Sequence, residues 1–467
     1  MRHFESGYQS ISVDVTPGLA SPGPGWCPDS SAGEHMKVRV GSALLALGLV
    51  VAGGFASTRQ VTDAAAVSGC ASRVYVTNGD DVTVSVIDTV TNMVVGAPIT
   101  VGSGPVRVAI TPDGTRAYVT NVNAGTVSVI DTATNTVLNT IPGPPSPLGV
   151  AITPDGARAY VTNFFDGDTV SVIDTATNTV IGSPITVGLG PQGLAITPNG
   201  ARAYVANNAD ASVSVVDTAT NTVVNTVIVG ASPAEVAITP DGTRAYVIHD
   251  NLNTLSVIDT ATNTVVAGLT LVGVNAGGIA IAPDGARAYV SNFGDDTVSV
   301  IDIATNTVVG SPISVGHSPA GIVITPDGAR VYVANANATS VSTFDTATNT
   351  VTSVTVGNGP LGVAVTPCPQ LAAAVAADGR TVVLSGSAFA PATTLTVTIA
   401  STPMTLGTVT VGSAGTFRQL FNVPCTVPAG DVTITAAAPS GQQASATVSL
   451  GSCAEPPPLV VQPRFTG

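Results

Sequence analysis

Residues 111–121 read TPDGTRAYVTN, and residues 126–135 follow with TVSVIDTATN. Pro and Asp favour the first positions of a tight turn and Gly supplies a positive φ, so TPDG is a turn. The aromatic and β-branched residues of RAYVTN and TVSVID then read as two strands. The same stretch recurs as TPDGARAYVTN from Thr153, TPNGARAYVAN from Thr197, TPDGTRAYVIH from Thr239, APDGARAYVSN from Ala282 and TPDGARVYVAN from Thr325, with a truncated SRVYVTN from Ser72. Its tyrosines, Tyr75, Tyr118, Tyr160, Tyr204, Tyr246, Tyr289 and Tyr332, fall 42 to 44 residues apart. Two further apolar runs complete each unit, for example VVGAPITVG and VRVAI. Four short strands in a period of this length make a β-propeller blade.

Working outward, composition agrees. Of 467 residues only 9% are charged, while 44% are hydrophobic. Beyond residue 56 no apolar stretch approaches the ~18 to 20 residues of a membrane-spanning helix, so the chain carries no transmembrane anchor there. With 49 Gly and 33 Pro dividing the apolar runs, disorder, coiled coil and a polytopic membrane protein are excluded. Fifteen Lys and Arg stand against 29 Asp and Glu, a net charge of −14 that repels nucleic acid.

The segment MKVRVGSALLALGLVVAGGFA, residues 36–56, has the cations, apolar run and small residues of a secretory signal peptide. Residues 1–35 are then an over-extended start or a disordered leader, 57–71 a linker, and the location is secreted or cell-envelope associated. Val67 to Cys70 resemble a lipobox, but polar residues separate them from the apolar run.

RAYVTN, with TPDG before it and VIDTATN after it, resembles the YVTN family of β-propeller repeats, which includes YncE-like periplasmic proteins and surface-layer proteins. The resemblance covers residues 72–367 and implies a propeller in an extracytoplasmic setting. The first unit lacks its innermost strand, and a spare one, GVAVTP from Gly362, follows the last. Joining them gives a seven-bladed propeller closed in blade 1 by residues 362–366. Cys70 and Cys368 fall on one column of the repeat, where a TPDG turn links other blades. A disulfide between them is expected to replace that link. Residues 369–453 hold six or seven short alternating strands and resemble an Ig-like β-sandwich, with Cys425 and Cys453 expected to pair. Residues 454–467 are a Pro-rich tail.

Seven arginines precede the tyrosines by two positions, and seven aspartates end the third strands. Pairing Asn121 with Thr126 sets Arg116 opposite Asp131, and Arg244 likewise faces Asp259, so structural ion pairs are expected. Eight acids, Asp80, Asp81, Asp166, Asp168, Asp210, Asp250, Asp295 and Asp296, fall in the loops between second and third strands, on one variable face. Of these, Asp80, Asp81, Asp166, Asp168, Asp295 and Asp296 are the candidate ligands for weakly held Ca²⁺, with no other cofactor or metal site. His249 and His317 share that face without metal-ligand spacing.

Before the first hydrophobe of the innermost strand, five blades carry Gly149, Gly193, Gly278, Gly321 and Gly362, but blade 2 has Arg107 and blade 5 has Glu235. This pair, placed on blades far apart around the channel mouth, is the candidate ligand-binding site. No P-loop, haem-attachment or nucleophile-elbow motif is present. The primary reading is a monomeric, non-enzymatic scaffold that binds a protein or cell-envelope component through its acidic face. The alternative is a lactonase- or lyase-type enzyme at the channel mouth.

Overall fold

Glycine and asparagine in left-handed conformations set the blade. Gly114 of the TPDG turn has φ 72° and Asn135 of the DTATN turn has φ 56°, conformations these two residue types adopt at low cost. Between the turns the runs extend. Blade 2 is an antiparallel sheet of Pro105–Ile110, Arg116–Asn121, Thr126–Asp131 and Thr136–Pro142, in that order from the inside. Its second and third strands pair from Arg116 with Asp131 to Asn121 with Thr126, the register read from the sequence.

The computed structural model describes residues 72–452, apart from 144–145, 166, 377, 388, 390–392, 401–403, 413–415 and 439–442. The signal peptide, linker and tail readings, and Cys70, Asp166 and Cys453, lie outside those residues. Among the described residues every regular element is a strand, and seven blades of this pattern form a seven-bladed β-propeller. Blade 1 takes its innermost strand, Pro360–Val365, from the far end of the repeat region, with Val74 opposite Val365 and Tyr75 opposite Ala364. The closure copies the bonding of a continuous blade. Thr366 N–H donates to the Arg73 carbonyl at 2.8 Å, as Thr111 N–H does to that of Arg116 at 2.9 Å. In blades 1 and 6 the outer strand is split in two around Gly96 and Pro98 and around Gly310 and Pro312, whereas in blade 3 it runs unbroken from Thr179 to Thr186 through Gly182 and Pro184.

The apolar faces pack between neighbouring blades. One such core joins Tyr118, Val127, Val129 and Ile141 to Ala159, Val161 and Ile173 of the next blade. Burial pushes the Tyr75 phenol up to about 12, so it remains a hydrogen-bond donor. Tyr118 donates to Asn178 Oδ1 of the next blade at 2.6 Å, and Tyr75 to Asn135 Oδ1 at 2.7 Å. The repeat tyrosine is therefore a latch between blades.

The repeat arginines do the same, which corrects the expected ion pairs. Arg116 and Asp131 are opposite one another, as are Arg244 and Asp259, yet neither pair forms a salt bridge. Arg116 Nη1 reaches across to the Thr175 carbonyl and Arg244 Nη1 donates to that of Ile303 at 3.1 Å. Each aspartate instead caps its own turn: Asp131 Oδ1 accepts the N–H groups of Ala133 at 2.9 Å and Thr134 at 2.8 Å. Asp259 is held below the usual carboxylate range by the Thr262 backbone and hydroxyl, with Arg244 the smallest contribution. A carboxylate that already accepts local N–H donors gains little from a distant guanidinium.

After the propeller, Gln370–Val375, Thr381–Ser387 and Phe417–Asn422 form one sheet, and Met404–Thr410, Thr394–Ile399, Gly430–Ala437 and Gln443–Leu450 another. Leu384, Phe389, Val397 and Ile434 belong to the core they share. Cys368 and Cys425 are both disulfide-bonded, and the partners expected for them, Cys70 and Cys453, fall outside the described residues.

Candidate functional site

The innermost strands converge so closely that most blades have no room for a side chain at one position. A Cβ on Gly149 would sit 2.3 Å from the Gln192 carbonyl oxygen of the next blade, one on Gly321 2.4 Å from that of Leu361, and one on Gly362 2.4 Å from that of Val106. The glycine column is thus a consequence of ring geometry. Blades 2 and 5 break it, and their side chains extend into the channel. Arg107 Nη2 and Glu235 Oε2 meet there at 2.8 Å.

The two residues stand on blades far apart in the ring, as the sequence placed them, and the structure adds that their side chains meet. Blades three steps apart in a ring of seven face each other across the axis, and two long side chains span the gap. The pair lines a cavity of about 150 Å³ with Val108, Leu194, Ile279 and Ile322. Arg107 also borders a second cavity of about 270 Å³, lined by Gln192, Asp250, Asn251, Asn275 and Phe293. Its walls include the variable loops, so it forms a vestibule to the channel.

The side chains of Arg107 and Glu235 are 27% and 18% exposed. Burial pushes the Glu235 carboxyl up, and the Arg107 guanidinium opposes it. A carboxylate made more basic by its surroundings, touching a fixed cation, can take a proton from water while the cation steadies developing negative charge.

The acidic loops have a different use. Asp81 Oδ2 accepts Asn358 N–H at 2.7 Å, Asp210 Oδ2 that of Leu189 at 2.6 Å, and Asp295 Oδ2 that of Val274 at 2.8 Å. Asp168 Oδ1 accepts Gly190 N–H at 2.9 Å and Asp296 Oδ1 that of Ser318 at 2.7 Å. These carboxylates brace the loops that enter the innermost strands, and the Asn358 amide holds Asp81 low. Asp81, Asp168, Asp295 and Asp296 of the proposed cation loops are thereby engaged, while Asp80 is exposed beside Gly359. Among the described residues no three acidic, His or Cys side chains converge as a metal site.

His249 replaces the asparagine that ends the second strand elsewhere. Its Nδ1 donates to the Ala231 carbonyl at 2.9 Å, and its Nε2 lies 2.8 Å from Ser256 Oγ. In blade 2, Asn121 bonds Thr126 and Ser128 in the same place. Burial lowers the His249 pKa. His317 pairs with Asp296 at 2.9 Å on the surface.

Asp250 is the site residue that sequence reasoning counted only as loop acid. Its position is held by Gly79, Val122, Phe164, Asn208, Phe293 and Ala336 in the other blades, so it is the charged member of an otherwise uncharged column. Its Oδ1 is buried without a hydrogen-bond partner, and burial pushes its carboxyl up. Column-by-column comparison of the repeats was the signal that could have found it.

Comparison with known proteins supports the fold. The model of the lactonase family of seven-bladed β-propellers matches residues 185–359. No curated protein matches the chain. Among solved structures, a protein of unknown function from Desulfotomaculum acetoxidans is 21% identical with a TM-score of 0.55, covering 63% of this chain and 99% of that one. A protein from Bacteroides fragilis, provisionally assigned as a 6-phosphogluconolactonase, is 17% identical with a TM-score of 0.53, covering 64% and 99%. Kuenenia stuttgartiensis hydrazine synthase is 24% identical with a TM-score of 0.51, covering 60% and 92%. At these identities the likeness is one of fold.

Proposed function

We propose that this protein is an exported β-propeller hydrolase of lactonase type, acting at the channel mouth through Arg107 and Glu235. The observation that carries this reading is the break in the glycine column. The two blades that depart from it place a cation and a carboxylate at 2.8 Å in one cavity. The partial match to the lactonase family favours the same direction. The C-terminal sandwich is read as an Ig-like spacer.

In this reading Glu235 accepts a proton from water as the water oxygen attacks the lactone carbonyl carbon. Arg107 donates hydrogen bonds to the carbonyl oxygen as charge builds on it. The ring C–O bond then breaks, its oxygen takes the proton back from Glu235, and the product is the open hydroxy acid. Water and lactone are consumed in equal amounts and Glu235 ends as it began.

The test is acid release from a panel of γ- and δ-lactones by the purified mature protein. The wild type is expected to open at least one of them. Glu235→Gln should lower kcat by about 100-fold or more, the usual scale for loss of a general base. Arg107→Gly should lower kcat/KM. No release above the blank, or wild-type rates in both variants, would refute the proposal and leave the non-enzymatic scaffold as the reading.

A further inference from the structure

The vestibule above the channel has a charge that the lactonase reading does not use. Its wall includes Arg107, Asp250, Gln192, Asn251, Asn275 and Phe293, around about 270 Å³. Arg107 is already matched by Glu235 at 2.8 Å. The sum over Arg107, Glu235 and Asp250 is one uncompensated negative charge, and it sits on Asp250. Its carboxylate is met by the Asn251 N–H and the Asn208 side-chain amide, neither of which carries charge, and its Oδ1 is buried and unpartnered.

A buried acceptor without a donor is costly, and a ligand that supplies the donor recovers that cost. A neutral hydroxyl would satisfy the hydrogen bond and leave the charge uncompensated. An ammonium group satisfies both. Phe293 offers a half-buried aromatic ring on the same wall, a surface that attracts cations and covers methylene groups. The side-chain carbonyls of Asn251 and Asn275, both exposed, are available to the remaining N–H donors.

The loop position makes the choice specific to one blade. The equivalent column carries no other charge, and three of the other blades' loops spend their aspartates on backbone amides, as Asp81, Asp210 and Asp295 do. Asp250 Oδ1 has no such amide.

We infer that the vestibule is a binding site for a small primary ammonium ion, with Asp250 Oδ1 accepting its N–H, Phe293 covering its methylene groups, and the charge of Arg107 balanced by Glu235. The inference concerns binding and stands apart from lactone hydrolysis, so it is tested without any lactone present.

The probe is n-propylammonium, titrated into the purified mature protein by calorimetry at neutral pH, with 1-propanol and Ca²⁺ as competitors. Millimolar binding is expected for n-propylammonium, with 1-propanol and Ca²⁺ failing to displace it at equal concentration. Asp250→Asn keeps the side-chain shape and removes the charge, and it should weaken binding at least tenfold. Phe293→Leu keeps apolar volume and removes the ring, and it should weaken binding several-fold. Thermal melts of both variants confirm that they are folded. Equal affinity of wild type and Asp250→Asn, displacement by 1-propanol, or displacement by Ca²⁺ would each overturn the inference. Ammonium binding in a protein that opens no lactone would retain this inference while removing the hydrolase reading.

Discussion

Six of the seven blade junctions carry the same two bonds, and the seventh provides an internal control. Tyrosine to asparagine distances are 2.7 Å at Tyr75–Asn135, 2.6 Å at Tyr118–Asn178, 2.7 Å at Tyr160–Asn221, 2.7 Å at Tyr204–Asn263, 2.5 Å at Tyr246–Asn306 and 3.1 Å at Tyr332–Asn92. The junction from blade 6 to blade 7 has no such bond. There Phe344 takes a position held by isoleucine in blade 2, Tyr289 packs against it at 5.9 Å, and a cavity of about 380 Å³ opens beside Arg287 and Thr346. Tyr118→Phe deletes a hydroxyl whose acceptor, Asn178, is half-buried, so water can partly replace it, and the cost should be about 1 kcal/mol. For a propeller of roughly 300 residues, unfolding entropy of about 0.6 kcal/mol per degree turns that into a fall in Tm of about 1.5 to 2 °C. Tyr289→Phe removes no such bond and should change stability by less than about 0.5 kcal/mol. Urea unfolding followed by circular dichroism, with calorimetry for Tm, measures both. Equal losses in the two variants, or none in Tyr118→Phe, would refute the latch.

Three further outcomes follow from the channel. Gly149→Ala forces a Cβ to 2.3 Å from the Gln192 oxygen, and the inner strands must shift, at a cost of about 1 to 3 kcal/mol in urea unfolding. Asp250 has its folded pKa raised by burial, so below the ordinary carboxylate value near ~4 it is neutral in both folded and unfolded states and costs nothing. As pH rises through the folded pKa the wild type loses stability that Asp250→Asn keeps, so their melting curves should coincide in acid and diverge toward neutrality, the asparagine variant melting higher. Arg107→Gly and Glu235→Gly each leave one charge unmatched in the channel, whereas the double variant restores the glycine column. A double-mutant cycle should give a coupling of about 1 to 2 kcal/mol, below that of a fully buried pair because these side chains are 27% and 18% exposed.

The repeat made the blades legible because each strand is bounded by turn residues whose backbone needs are local. Pro, Asp and Gly fix one end and Asn fixes the other, and the period of the tyrosines counts the blades. Ring closure was legible for the same reason, since a missing strand and a spare one have complementary patterns. What failed were partners that depend on how one blade lies on the next. Arg116 and Asp131 are opposite in register, but register within a sheet does not say which way a long side chain leans, and the next blade offers Arg116 a carbonyl. Asp81 and Asn358 lie 277 residues apart in sequence, so their contact exists only once the ring is closed.

The same distinction explains where the site could be read. Residues that recur in every blade, Tyr118 and Arg116 among them, serve the ring. Residues that interrupt a column have no such duty, and Arg107, Glu235, His249 and Asp250 are interruptions. His249 keeps the asparagine's bond to the strand serine, here Ser256, and replaces the bond to the threonine with one to the Ala231 carbonyl, leaving Thr254 Oγ1 without a partner, so both its ring nitrogens are engaged by the fold. Glu235 and Asp250 are not absorbed: both carboxyls are pushed up by burial, and both line the cavities that Arg107 joins. Blade 5 thus supplies two acids whose burial raises them and blade 2 the cation that borders both cavities, so the channel mouth and its vestibule, more than the acidic rim, hold side chains the ring does not use.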